Sequence, residues 1–155
     1  MKTIALRFSD NFAPSSGTVV EHQKLIETKG FVWYGKLGAP VSDRICKELL
    51  NNREPRILLI HSGKAARYWA YIDQVVKGTP PLEDIPAYYR NQADSFHTWF
   101  RILKIEEADK HVLSLCTVAS SGAPLTMASR SSMSPYFIIV YADDSEKQTR
   151  QEENT

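Results

Sequence analysis

The apolar runs of this 155-residue chain are all of strand length, and the stretches between them are too polar and irregular to be a regular series of helices. Residues 57–60 (ILLI) and 136–141 (YFIIVY) show the pattern at its strongest. Such runs read as buried strands and fall far short of the roughly 20 residues that a membrane-spanning helix needs. Strands set apart by long polar excursions place the chain in the α+β class, with a mixed or antiparallel sheet rather than a doubly wound parallel one. At this length one hydrophobic core is well supplied and two are not. Residues 1–142 are therefore expected to form a single domain, followed by a polar, disordered tail over 143–155.

Residues 3–8 (TIALRF) alternate, with Ile4, Leu6 and Phe8 on one face of a first strand. A helix is predicted over 18–29, ended by Gly30. A second is predicted over 41–51, where Ile45, Leu49, Cys46 and Leu50 make an apolar stripe behind a cap at Ser42. The aromatic strand 31–38 leaves its sheet at Gly35. Strand 66–78 sends Tyr68, Ala70 and Ile72 to one face and Trp69, Tyr71 and Asp73 to the other, so both faces carry aromatics and at least one is covered or used. Further strands are expected at 56–62, 97–109, 112–118 and 136–141. Segment 79–96 reads as a proline-rich loop with one short helix near 87–90. The serine-rich segment 119–135 is no simple linker, because Leu125 and Met127 interrupt it.

The formal charge of +1 hides an uneven distribution. Residues 143–155 hold five acidic and two basic side chains, a net of −3, which leaves +4 on residues 1–142. That excess suits contact with a few phosphates but not the basic stripe of a tight nonspecific nucleic-acid binder, so recognition must come from a pocket. Cys46 and Cys116 lie far apart in apolar contexts, which predicts buried thiols in a reducing compartment and a cytoplasmic location. The amino terminus makes a better strand than a signal peptide. His22, His61, His97 and His111 show no ligand spacing, and no metal or other cofactor is expected.

Three pieces in order, RILLIHSG (56–63), YWAYIDQVV (68–76) and HTWFRILKI (97–105), followed by LTMASRSSMSPYFIIVY (125–141), resemble the PUA-like superfamily and most nearly its EVE branch, related to YTH and ASCH domains. His61-Ser62 matches the pair that commonly ends a buried strand there, Val75-Val76 the end of the following strand, and residues 130–135 the Arg/Ser-rich approach to the closing strand. The resemblance implies a twisted five- to six-stranded β-barrel with flanking helices. It also implies a reader of RNA, or of modified bases in DNA or RNA, with the base held in an aromatic-lined pocket. By position it puts Trp33, Tyr34, Ser62, Trp69, Trp99 and residues 129–131 near that pocket.

The aromatic set Trp33, Tyr34, Tyr68, Trp69, Tyr71, Tyr88, Tyr89, Trp99 and Phe100 is too large for the inside of a barrel of this length. One or two rings are expected at a groove, where stacking on a base contributes about 1–3 kcal/mol. Such a cage would equally hold a methylated ammonium. Lys64 and Arg67 beside the His61-Ser62-Gly63 turn, and Arg130 between Ser129 and Ser131, are candidates for phosphate contacts. Catalytic motifs are absent: no phosphate-binding glycine loop, no HExxH and no nucleophile elbow. A fold would have to assemble His97 with Asp94, or His61 with Asp73, to activate a serine, and the neighbours Glu106 and Glu107 point to opposite faces of a strand. The expectation is a binding module rather than an enzyme. Its partner would be DNA or RNA with a modified, unpaired or flipped base, and an operon-encoded protein is a further candidate partner. The alternatives are a peptide- or protein-interaction domain using the same groove, and a small-molecule or nucleotide sensor.

Overall fold

The computed structural model describes residues 1–132 and 134–142. The tail expected to be disordered, 143–155, lies outside the described residues. In chain order the elements are β1 (Lys2–Phe8), α1 (Thr18–Lys29), β2 (Val32–Lys36), α2 (Asp43–Leu50), β3 (Arg56–His61), β4 (Arg67–Val76), β5 (Thr98–Glu107), β6 (Cys116–Val118), α3 (Leu125–Ser131) and β7 (Tyr136–Tyr141). Three 3-10 segments, Leu82–Asp84, Ala87–Ser95 and Val112–Leu115, join them. The strands form one sheet in the order β2-β5-β4-β3-β1-β7-β6. Only β1 and β3 run parallel among these neighbours. This is the mixed sheet that the spacing of the apolar runs predicts. Among the described residues no helix is long and apolar enough to cross a membrane.

Local chemistry explains the helix ends. Gly30 adopts φ 85° and its N–H donates to Ile26 O, a left-handed stop that costs glycine little. At the other end of α1 the Thr18 N–H donates to Asp10 Oδ1 at 2.9 Å, so a carboxylate satisfies one of the orphan donors of the first turn. In α2 the Ser42 hydroxyl accepts from Ile45 N, and the stripe Ile45, Cys46 and Leu49 is buried against the sheet.

The expected barrel is not closed. The sheet curls until β2 faces β1 and β7: Lys36 Nζ lies 4.4 Å from the Tyr136 ring centroid, and β1 and β2 line a common cavity. No ladder joins them, because the free edge of β2 is covered instead. The Tyr89 hydroxyl, from segment Ala87–Ser95, lies 3.1 Å from Trp33 O. A covered edge cannot recruit another strand.

Openness also resolves the surplus of rings. An open sheet has two faces to cover where a barrel has one interior. On one face Ile4, Leu6, Ile57, Leu59, Phe100 and Ile102 pack under α2. On the other, Leu58, Ile60, Trp69 and Phe137 pack under Leu113 and Leu125. A third cluster, Trp33, Ile85, Tyr89, Phe96 and Trp99, fills the β2–β5 end. Three local expectations are corrected. Residues 112–115 form a 3-10 turn before the short β6. The 79–96 segment holds a longer 3-10 stretch with a kink at Tyr89. The serine-rich segment contains α3, anchored by the fully buried Leu125.

Candidate nucleic-acid interface

The seam between β2 and β1 is a cavity of about 260 Å³, walled by Phe8, His22, Tyr34, Tyr88, Tyr89 and Phe96. Alternation along β2 turns Tyr34 and Lys36 to the seam and Trp33 away from it. Gly35 does not leave the sheet, as the sequence suggests, but pairs with Trp99. Its missing side chain is what admits the neighbouring rings. A Cβ there would lie 2.8 Å from Phe96 Cγ and 2.9 Å from Trp99 Cζ3. At the mouth stand Phe12 and Leu37, 77% and 58% exposed.

The polar groups inside this seam are settled by elimination. His22 Nδ1 lies 2.8 Å from Thr18 O, a carbonyl that can only accept, so Nδ1 carries the hydrogen. Nε2, 2.9 Å from the Tyr89 oxygen, and Trp33 O, 3.1 Å from it, are then both acceptors that share the one Tyr89 hydroxyl proton. Burial pushes the His22 pKa down to about 4 and the Tyr89 hydroxyl well up, so both are neutral at pH 7. Lys36 is buried and donates to Leu37 O and Ala39 O. Burial, and then the charge of Lys77, lower its pKa. The Tyr34 hydroxyl has no hydrogen-bond partner among the described residues, although the side chain is only 9% exposed.

A second cavity, about 290 Å³, adjoins the seam through the shared Arg7. It is formed by the 61–67 turn and α3, with His61, Ser62, Lys64, Arg67, Ser129 and Arg130 on its lining. Gly63 sits at φ 81°, which gives the turn its left-handed step. Arg7 fixes the far wall, donating from Nε to Ser134 O at 3.0 Å and from Nη2 to Ser132 O at 2.8 Å and to Ser129 O. Arg67 braces the turn through Lys64 O and Ala66 O. Burial, and then the charge of Arg7, lower the Arg67 pKa, the mark of cations crowded together. No carboxylate lines either cavity, and none of Arg7, Lys36, Lys64, Arg67 and Arg130 pairs with an acid among the described residues.

Asp10, which bonds to lining residues of both cavities, has its oxygens taken: Oδ1 by Thr18 N and Oδ2 by His61 Nε2 at 2.5 Å. The Thr18 amide, with His61 behind it, holds that carboxyl down at about 2. His61 Nδ1 faces Ser62 O at 2.9 Å, so both ring nitrogens are occupied and neither is free to activate a serine. His61 thus pairs with Asp10 and not with Asp73, which pairs with Arg101 at 2.7 Å. Glu106 accepts from Tyr71 and pairs with Lys104.

Of the residues singled out from sequence, Ser62, Lys64, Arg67, Ser129 and Arg130 come together in the basic cleft, and Tyr34 lines the aromatic seam. The tryptophans do not. Trp33 and Trp99 are core of the third cluster, and Trp69 packs in the second against Tyr141 with the Arg56 guanidinium 4.7 Å over its ring. Ser131 is exposed on α3, its hydroxyl turned back to Met127 O, and lines neither cavity. The sequence reading missed His22, Phe96 and Arg7. The aromatic pair Tyr88-Tyr89 in a proline-rich excursion was the available signal for that wall. The family model described as Pua-like matches residues 4–138 of this chain. Comparison with curated proteins and with solved structures yields no match.

Proposed function

We propose a nucleic-acid-binding function for this chain, which belongs to the Pua-like family: one unpaired or flipped base enters the seam while its backbone lies in the cleft. The observation that carries the reading is the adjacency of an aromatic pocket and a basic cleft that no carboxylate lines among the described residues, the two sharing Arg7. The seam is at the small end for ligand pockets, a size that suits a single heterocycle. Stacking supplies about 1–3 kcal/mol per base, and extruding a base from a duplex costs a few kcal/mol. A single-stranded, mismatched or modified base is therefore the easier ligand. The same geometry argues for binding rather than chemistry, since the ring nitrogens of His22 and His61 are committed to internal bonds.

A peptide carrying a methylated ammonium fits less well. Aromatic cages for such cations gain from nearby negative charge, whereas the cation Lys36 lines this one. Fluorescence anisotropy with labelled single-stranded RNA and DNA hexamers tests the reading. Binding that weakens when Tyr88→Ala removes one wall supports it. Hexamer affinity that is absent, or indifferent to Tyr88→Ala and to charge reversal at Arg130, overturns it.

A further inference from the structure

The seam is not a neutral cage. Lys36 is on its wall, the Arg7 guanidinium is turned to the other face of β1 toward the carbonyls of 129, 132 and 134, and no carboxylate lines the seam among the described residues. Lys36 Nζ spends its protons on Leu37 O and Ala39 O and lies over the Tyr136 ring, so its charge is held in place without being cancelled. His22 and Tyr89 have satisfied one another. That leaves the Tyr34 hydroxyl, on the same face of β2 as Lys36, open to the seam and without a hydrogen-bond partner among the described residues. A tyrosine O–H can donate or accept. Beside the fixed positive charge of Lys36, the ligand atom that gains most is an oxygen carrying partial negative charge, and the hydroxyl then acts as donor.

We propose that the seam selects a base whose inserted edge presents a carbonyl oxygen, with Tyr34 as the specificity-determining donor. Uracil and thymine offer O4 at the position where cytosine offers an amino group, and N3 beside it changes from an N–H donor to an acceptor while ring size and shape stay the same. An amino edge could still donate to the Tyr34 oxygen, but it would bring partial positive charge against Lys36. The inference rests on the base-in-seam reading and names the chemical class of that base.

Uridine and cytidine hexamers separate the two levels, because they share backbone, charge and ring size. Calorimetric titration of wild type and Tyr34→Phe with each is the measurement. Wild type is expected to bind the uridine hexamer roughly tenfold more tightly, a gap set by about one hydrogen bond. Tyr34→Phe is expected to weaken uridine binding to the cytidine level and to leave cytidine within about twofold. Equal affinities in wild type, a cytidine preference, or a gap that survives Tyr34→Phe overturns the inference while the base-binding reading stands. If neither hexamer binds, both fail. A trimethyl-lysine peptide, expected not to bind, overturns the inference if it binds competitively with uridine.

Discussion

If the cleft holds phosphates, its cations must set the salt dependence of binding. Four cationic side chains besides His61 line it, and one, Arg7, is committed to the carbonyls of 129, 132 and 134. Lys64, Arg67 and Arg130 remain to displace counterions. Single-stranded nucleic acid releases about 0.7 of a counterion per neutralised phosphate, so three contacts give a log–log slope near −2. Between about 50 and about 200 mM salt that slope is roughly a 20-fold loss of affinity. The triple variant Lys64→Gln/Arg67→Gln/Arg130→Gln should bind a labelled hexamer with most of that slope gone, and each single variant should lower it by less than about 1. Arg67 also braces the turn, so a thermal melt of the triple variant accompanies the anisotropy series. A folded triple variant that keeps the wild-type slope refutes the assignment of phosphates to this cleft.

Other expectations follow from the packing. Gly35→Ala drives a methyl into Phe96 and Trp99, and overpacking of this kind costs about 1–3 kcal/mol; an unchanged Tm would contradict the close approach. His22 is buried and neutral, and the unfolded chain takes up a proton at 6.5 that the folded chain refuses until about 4. Its contribution is therefore complete above pH 6.5 and falls by about 3 kcal/mol as the pH drops to 4, and denaturant melts of His22→Gln should show that acid limb flattened. The depressed Asp10 carboxyl contributes stability above about pH 4 that is lost as the pH falls toward 2; Asp10→Asn should lower Tm at pH 7 and match wild type near pH 2. Trp69→Phe should lower Tm and leave hexamer affinity unchanged, because Trp69 lies in the second core cluster, outside both cavities.

The strands and two long helices were legible because burial and period coincide in them, as in the Ile45, Cys46 and Leu49 stripe or the run at 57–60. The basic cleft was legible in part because its residues are close in sequence within two short segments, the 61–67 turn and α3. The aromatic pocket was not. It depends on how far the sheet curls and on which edge stays unpaired, and both are decided by Tyr89 reaching Trp33 O across 56 positions. Trp99 reads as a ligand-facing ring until Gly35 is seen to open a slot for it in the core. Arg7 carried no signal in the sequence, because its role depends on carbonyls more than 120 positions away.

Amide and aromatic NMR shifts followed through a titration with a short single-stranded oligonucleotide test the central claim most directly. The account predicts that the largest changes fall on Tyr34, Lys36 and Tyr88 in the seam and on the 62–67 turn in the cleft, saturating together. Shifts confined to the cleft, or centred on Trp69 and Tyr141, would contradict a base seated in the seam.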